Sequence, residues 1–179
     1  MRGGIVMRRF GVIVALGALL GMFAGVLTAS PALAGRGHKW QLLQGSPFTV
    51  PKSWCGFKIR VTIPVGREYI KLLKASDGSM TSLVTGSVRF TYTNLTTGKA
   101  ITENVSGPAK ITTHADGSVT AIERGRTGEF LTPAQAQQFG LPTVSVTAGA
   151  LRSVIAADGA ETSVTLHGHV LVDVCAALS

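Results

Sequence analysis

Three groups of residues in this 179-residue chain have the types and spacing that chemistry uses. His167 and His169 sit two apart near the C-terminus. Cys55 and Cys175 are the two cysteines. Glu103, Glu123 and Glu129 are carboxylates in neighbouring segments. A His-x-His pair on a strand turns both imidazoles to one side and could begin a zinc shell, which needs three or four ligands. His114 or Asp173 could supply a third, but no second motif supports one. The parity of the closing stretch, "LHGHVLVDVCAALS" (Leu166–Ser179), argues against a metal. Val164, Leu166, Val170, Val172 and Val174 share one face, whereas Ser163, Thr165, His167, His169 and Asp173 share the other. The apolar face belongs to a core, so the histidines are expected to face solvent and no metal site is expected.

Other catalytic templates fail. The chain has no G-x-S-x-G, no H-E-x-x-H and no phosphate-binding glycine loop. Glycoside hydrolysis needs two carboxylates flanking one cleft, and nothing in the sequence ties any two of the three glutamates together. No catalytic residue and no cofactor are expected. The sequons Asn94-Leu95-Thr96 and Asn104-Val105-Ser106 matter only in a glycosylating host, which nothing indicates.

The elements that position these residues begin after a leader. Met1–Phe10 carries Arg2, Arg8 and Arg9 and no acid. Gly11–Val26 is apolar, and Ala32-Leu33-Ala34 is a small-residue exit. That order is a secretory signal peptide, with cleavage expected after Ala34. The apolar run is short for a spanning helix of about 20 residues, so no membrane span is expected after cleavage. Arg8-Arg9 leaves both general and twin-arginine export open. Removing the leader and its three arginines leaves 145 residues and lowers the formal net charge from +8 to +5. That length suits one domain. The basic residues are spread along the chain without a run, as on a solvated surface; the sharper reading is attraction to an anionic cell-wall polymer. Few aromatics interleave with them, so no nucleic-acid partner is expected.

Residues 35–54, rich in Pro and Gly, read as an irregular arm, and residues 55–179 as an all-β domain. Phe57, Ile59, Val61 and Ile63 alternate with Lys58, Arg60 and Thr62, the period of a half-buried strand. "REYIKLLKA" (Arg67–Ala75) reads as a second strand. In "MTSLVTGSVRFTYTN", Met80, Val84, Val88, Phe90 and Tyr92 share one parity, and Gly86 marks a bend or bulge. Asp77-Gly78, Asp116-Gly117 and Asp158-Gly159 are hairpin turns, because such turns need positive φ. The expected fold is an antiparallel meander of about eight strands. Thr132–Pro142, with Pro near both ends, is a long connection or a lid holding one helical turn.

Two cysteines in an exported chain suggest a disulfide. Bonding brings Cα atoms within about 7 Å. It would set the first strand beside the last and make the meander a closed barrel or a barrel-like, tightly closed fold. The alternative is a two-sheet β-sandwich, expected if the crossing from Ser106 to Lys110 switches sheets.

The blocks "FTVPKSWCGFKIRVT", "TNLTTGKAITENVSGPAKITTHADGS" and "GHVLVDVCAAL" resemble, in order and over about Phe48–Leu178, a family of small exported proteins of high-GC Gram-positive bacteria. The resemblance implies that Cys55 and Cys175 are paired framework cysteines. It implies no activity. Two functional expectations follow. The first is a secreted, non-enzymatic binding or envelope-associated module. The second is a calycin-like or cyclase-like barrel that binds, or isomerises, a small apolar molecule.

Overall fold

The computed structural model describes residues Lys39–Ser179; the expected leader and its expected cleavage site lie outside the described residues. Nine strands form one antiparallel sheet: β1 (Gln41–Leu43), β2 (Phe48–Val50), β3 (Ile59–Lys74), β4 (Met80–Asn94), β5 (Ala100–Asn104), β6 (Ala109–Thr113), β7 (Val119–Phe130), β8 (Val144–Ile155) and β9 (Glu161–Asp173). Among the described residues three short helices interrupt them: α1 (Lys52–Cys55), α2 (Pro133–Phe139) and α3 (Val174–Leu178).

The Asp-Gly turns form because aspartate and glycine each do one job. Gly78, Gly117 and Gly159 take φ of 85°, 86° and 87°, and the preceding Asp Oδ1 accepts from the backbone N–H of Ser79, Ser118 and Ala160. These turns stand at one end of the sheet, called the lower end here. From it the strands rise in the order β1-β3-β4-β6-β7-β8-β9, while β2 pairs with upper β3 and β5 with upper β4.

The sheet is not closed. β1 and β9 are its two ends and do not pair with each other, which corrects the closed-barrel expectation. β6 pairs with β4 only from Met80 to Val84, below the glycine at 86. Above it, β4 carries β5 instead. The Ser106–Lys110 crossing therefore moves the chain from upper to lower β4. With no strand joining the upper halves on that side, β2–β5 and β7–β9 pack face to face there. Phe130 of β7 lies 5.1 Å from Phe48 and 6.1 Å from Tyr92, ring centre to ring centre. Ile59, Val61, Val144, Val146, Val174 and Leu178 complete this filled upper core, all essentially inaccessible. The arrangement is sandwich-like, the alternative that the sequence left open.

Other expectations also shift. The irregular arm of residues 35–54 contributes β1, β2 and α1, with Leu42 opposite Tyr69 and Thr49 opposite Arg60; three-residue strands are too short to show a period. The first two expected strands are one, β3, which absorbs Pro64 at an irregularity between Thr62 and Val65. The last strand ends at Asp173, whose carboxylate accepts from Ala176 N–H and starts α3, so Cys175 lies on a helical turn. α2 fills the Thr132–Pro142 connection. Thr132 and Gln135 cap it reciprocally, with Pro133 at its first position.

A row of glycines crosses the sheet at mid-height, where Gly125 opposes Gly149 and Gly149 opposes Gly168. Gly149 has φ 129°, and a Cβ there would lie 2.7 Å from Gly168 Cα. Only glycine allows the strands to approach so closely at this bend.

Cys55 and Cys175 are disulfide-bonded, with Cα atoms 5.3 Å apart. The bond ties α1, which leads into the first long strand, to α3, which follows the last. Nearby, Asn94 Nδ2 donates to Leu178 O at 3.0 Å, and Lys99 Nζ to Ser179 O at 2.9 Å.

Candidate functional site

Strand register distributes charge in a way the linear sequence does not display. In an antiparallel sheet, directly opposed residues share a face. Lys71, Leu83, Lys110, Ile122, Arg152 and Thr165 oppose one another in turn across β3, β4, β6, β7, β8 and β9. This row faces outward: Lys110 and Arg152 are exposed, while their neighbours Ala109, Ile111, Leu151 and Ser153 are buried. Strands lie about 4.8 Å apart, so Lys71 and Arg152 stand about 19 Å from each other with Lys110 midway.

Higher on the sheet, Arg124 opposes Ala150, which opposes His167; Arg126 opposes Ala148, which opposes His169. Arg124, Arg126, His167 and His169 are exposed and flank the glycine row. Towards β3, Arg67 opposes Ser87, and Val65, Arg89 and Asn104 form one row. There the strands open a cleft of about 670 Å³ lined by Val65, Arg67, Ser87, Arg89, Asn104 and Ser106, among others. The Pro64 irregularity and the end of β5 make the space. Asn104 Oδ1 accepts from Ser106 N–H at 2.8 Å, and Ser106 Oγ bonds both backbone groups of Val88.

All nine acids of the chain lie elsewhere. Asp77, Asp116 and Asp158 occupy the lower turns, and Asp173 caps α3. Glu103 opposes buried Phe90, on the other face of β5 from Asn104. Glu68, Glu123 and Glu129 are buried, and half-buried Glu161 accepts from Gln135 Nε2 of α2 at 3.0 Å. The outer face is therefore basic and free of carboxylates.

The inner face holds the acids. Glu123 stands in a row with Ile70, Val84, Ala109 and Leu151. Burial among them raises its carboxyl to about 7, and Glu68 and Glu161 add like-charge repulsion. Burial likewise raises Glu68 and Glu161 to about 7. Glu129 is held well above the usual carboxylate range, first by burial and then by Glu123 and Glu161. Among the described residues no cation offsets any of these. Glu129 opposes Ser145, whose inaccessible hydroxyl has no partner among the described residues, as is also true of the Tyr92 hydroxyl. Burial, with Glu103 and Glu129 nearby, pushes the Tyr92 hydroxyl far up, so it stays neutral. Near neutral pH the Glu68, Glu123 and Glu161 carboxyls sit at the edge of ionisation, as interior groups and not as a dyad lining a cleft.

The residues singled out from the sequence disperse. His167 and His169 are exposed on β9, His114 bonds Thr120 Oγ1 at 3.0 Å in a turn, and Asp173 serves as a cap. Among the described residues no three His, Cys, Asp or Glu side chains are arranged to hold a metal ion. Of the three glutamates, Glu123 and Glu129 come together and Glu103 does not. Glu68 and Glu161 join them, which sequence reasoning missed. Glu68 shares parity with apolar Ile70 and Leu72, so its inward direction was readable, though not its neighbours. Asn94 of the first sequon is buried and hydrogen-bonded. No helix among the described residues is long and apolar enough to cross a membrane. No protein-family model, curated protein or solved structure matches the chain.

Proposed function

We propose that the protein is exported and acts outside the membrane as a non-enzymatic module that binds an anionic polymer of the cell envelope. The observation that carries this is the carboxylate-free outer face, where Lys71, Lys110, Arg152, Arg124 and Arg126 spread over four strands. Spaced cations without intervening acids make a continuous positive potential, which suits a long, flexible polyanion more than a compact partner. Export is read from the leader Met1–Ala34, and a disulfide accords with an oxidising compartment.

The alternative, a carrier or cyclase for a small apolar molecule, needs an open apolar interior. The upper interior is instead occupied by the packed rings of Phe48, Phe90, Tyr92 and Phe130, which supports the first reading.

Fluorescence anisotropy with labelled polyphosphate and labelled polygalacturonate tests it. Both polymers bind at low salt and weaken steeply as salt screens the face. The triple variant K71E/K110E/R152E loses both while keeping its circular dichroism. Salt-independent binding, or an unaffected triple variant, overturns the reading.

A further inference from the structure

The cleft at the upper edge of the basic face has a donor set unlike the rest of it. Asn104 spends its carbonyl oxygen on Ser106 N–H, so its Nδ2 group remains to donate. Ser106 Oγ is committed to Val88, donating to its carbonyl and accepting from its N–H. What remains is two guanidiniums, one amide NH2 and the Ser87 hydroxyl, with no carboxylate on this face.

Arg67 opposes Ser87 and Arg89 opposes Val65, so the two arginines are diagonal neighbours on adjacent strands. Such neighbours stand about 7–8 Å apart at the backbone, within reach of long side chains. Two forks can therefore close on one group. A carboxylate offers one charge and two oxygens, which a single fork saturates. A phosphate monoester offers close to two charges and three free oxygens, matching two guanidiniums and an amide. Val65, 37 % exposed, lies directly opposite Arg89 and two residues before Arg67, an apolar surface for an ester's carbon skeleton. A volume of about 670 Å³ admits more than a bare ion.

We propose that this cleft is a phosphate-ester site, in which Arg67 and Arg89 grip the phosphate oxygens and Asn104 Nδ2 donates to a third. The phosphate comes either from a small organic phosphate or from a phosphorylated end of the envelope polymer. The polymer source rests on the reading given above, whereas the site itself does not.

Calorimetric titration of the full mature chain with glycerol 3-phosphate, and with glycerate as the carboxylate counterpart, tests the site. Glycerol 3-phosphate binds at least about tenfold more tightly than glycerate. R67Q and R89Q each weaken it by about tenfold or more, as loss of a charge-assisted hydrogen bond does, and K110E/R152E leaves it unchanged. Equal binding of the two ligands, no binding of the phosphate, or indifference to R89Q overturns the proposal. Polyphosphate and polygalacturonate separate the two readings. Polymers that bind through Lys110 and Arg152 while glycerol 3-phosphate does not bind leave the face and remove the phosphate site. Glycerol phosphate binding through Arg89 without binding of either polymer leaves the site and removes the envelope reading. R89Q weakening polyphosphate more than polygalacturonate identifies the polymer as a source of the phosphate; equal weakening assigns the site to the free ester.

Discussion

Replacing Glu123 by Gln removes an ionisable group from the apolar row of Ile70, Val84, Ala109 and Leu151 while keeping its shape. In the folded chain the carboxyl is raised from 4.5 to about 7. Below about pH 4.5 it is protonated in the folded and unfolded chains alike and costs nothing. Between 4.5 and 7 the unfolded chain releases the proton and the folded chain keeps it, so stability falls as pH rises. Above 7 both are ionised and the penalty is constant. Each tenfold change in proton affinity is worth about 1.4 kcal/mol, so the full penalty is about 3 kcal/mol. Glu68 and Glu161 contribute in the same direction, half-buried Glu161 less because solvent reaches it. Urea unfolding at pH 4.5, 6 and 8, followed by circular dichroism, measures the effect. The wild type loses stability steadily across that range. E123Q matches it at pH 4.5 and exceeds it by about 3 kcal/mol at pH 8, a rise of about 10 °C in midpoint temperature for a domain of this size. Glu129, held up partly by Glu123, also moves towards its ordinary value in E123Q, which side-chain NMR titration reads directly. Wild-type stability that is flat or rising between pH 4.5 and 7, or an E123Q chain no more stable at pH 8, refutes the reasoning.

Three further outcomes follow from named contacts. Gly149→Ala drives a Cβ into the backbone of His167 and Gly168 and costs about 3 kcal/mol or more in urea unfolding, whereas Gly98→Ala, which has positive φ but open space, costs about 1 kcal/mol. Asn94→Ala removes the buried donor to Leu178 O and the acceptor for Thr96 and Thr97 N–H; it costs about 2–3 kcal/mol, and amide exchange at Thr96 speeds up. Cys55→Ser with Cys175→Ser opens a loop spanning 120 positions and costs about 4–5 kcal/mol if chain entropy dominates, so midpoint temperatures with and without reductant differ in the wild type and coincide in the double variant.

Much of the local architecture was legible in the chain because short-range chemistry dictates it. Asp-Gly at 77–78, 116–117 and 158–159 can hardly do anything but turn, and alternation in β4 and β9 reveals which side chains go inward. His167 and His169 are exposed, as the alternation required. Cys55 and Cys175 are joined, as the family resemblance implied. β1 and β2 were not legible, since three residues have no period and exist as strands only by pairing with β3. Nor was the open sheet. A bond between chain ends demands proximity, and the face-to-face packing of upper β2–β5 on β7–β9 supplies it as readily as a barrel does.

Charge shows the division most plainly. The amino-acid sequence by itself determined that β6, β7 and β8 each carry their cations on one side: Lys110 but not Ile111, Arg124 and Arg126 but not Glu123, Arg152 but not Leu151. It contains no run of basic residues, and none is needed. Which cations become neighbours is decided by register between paired strands, where a slip of one residue would send every lysine and arginine of a strand to the opposite face. Hydrophobic burial along all the strands at once holds that register. Only the tertiary structure could therefore collect Lys71, Lys110 and Arg152 into one outer row, and draw Glu68, Glu123, Glu129 and Glu161 together behind it.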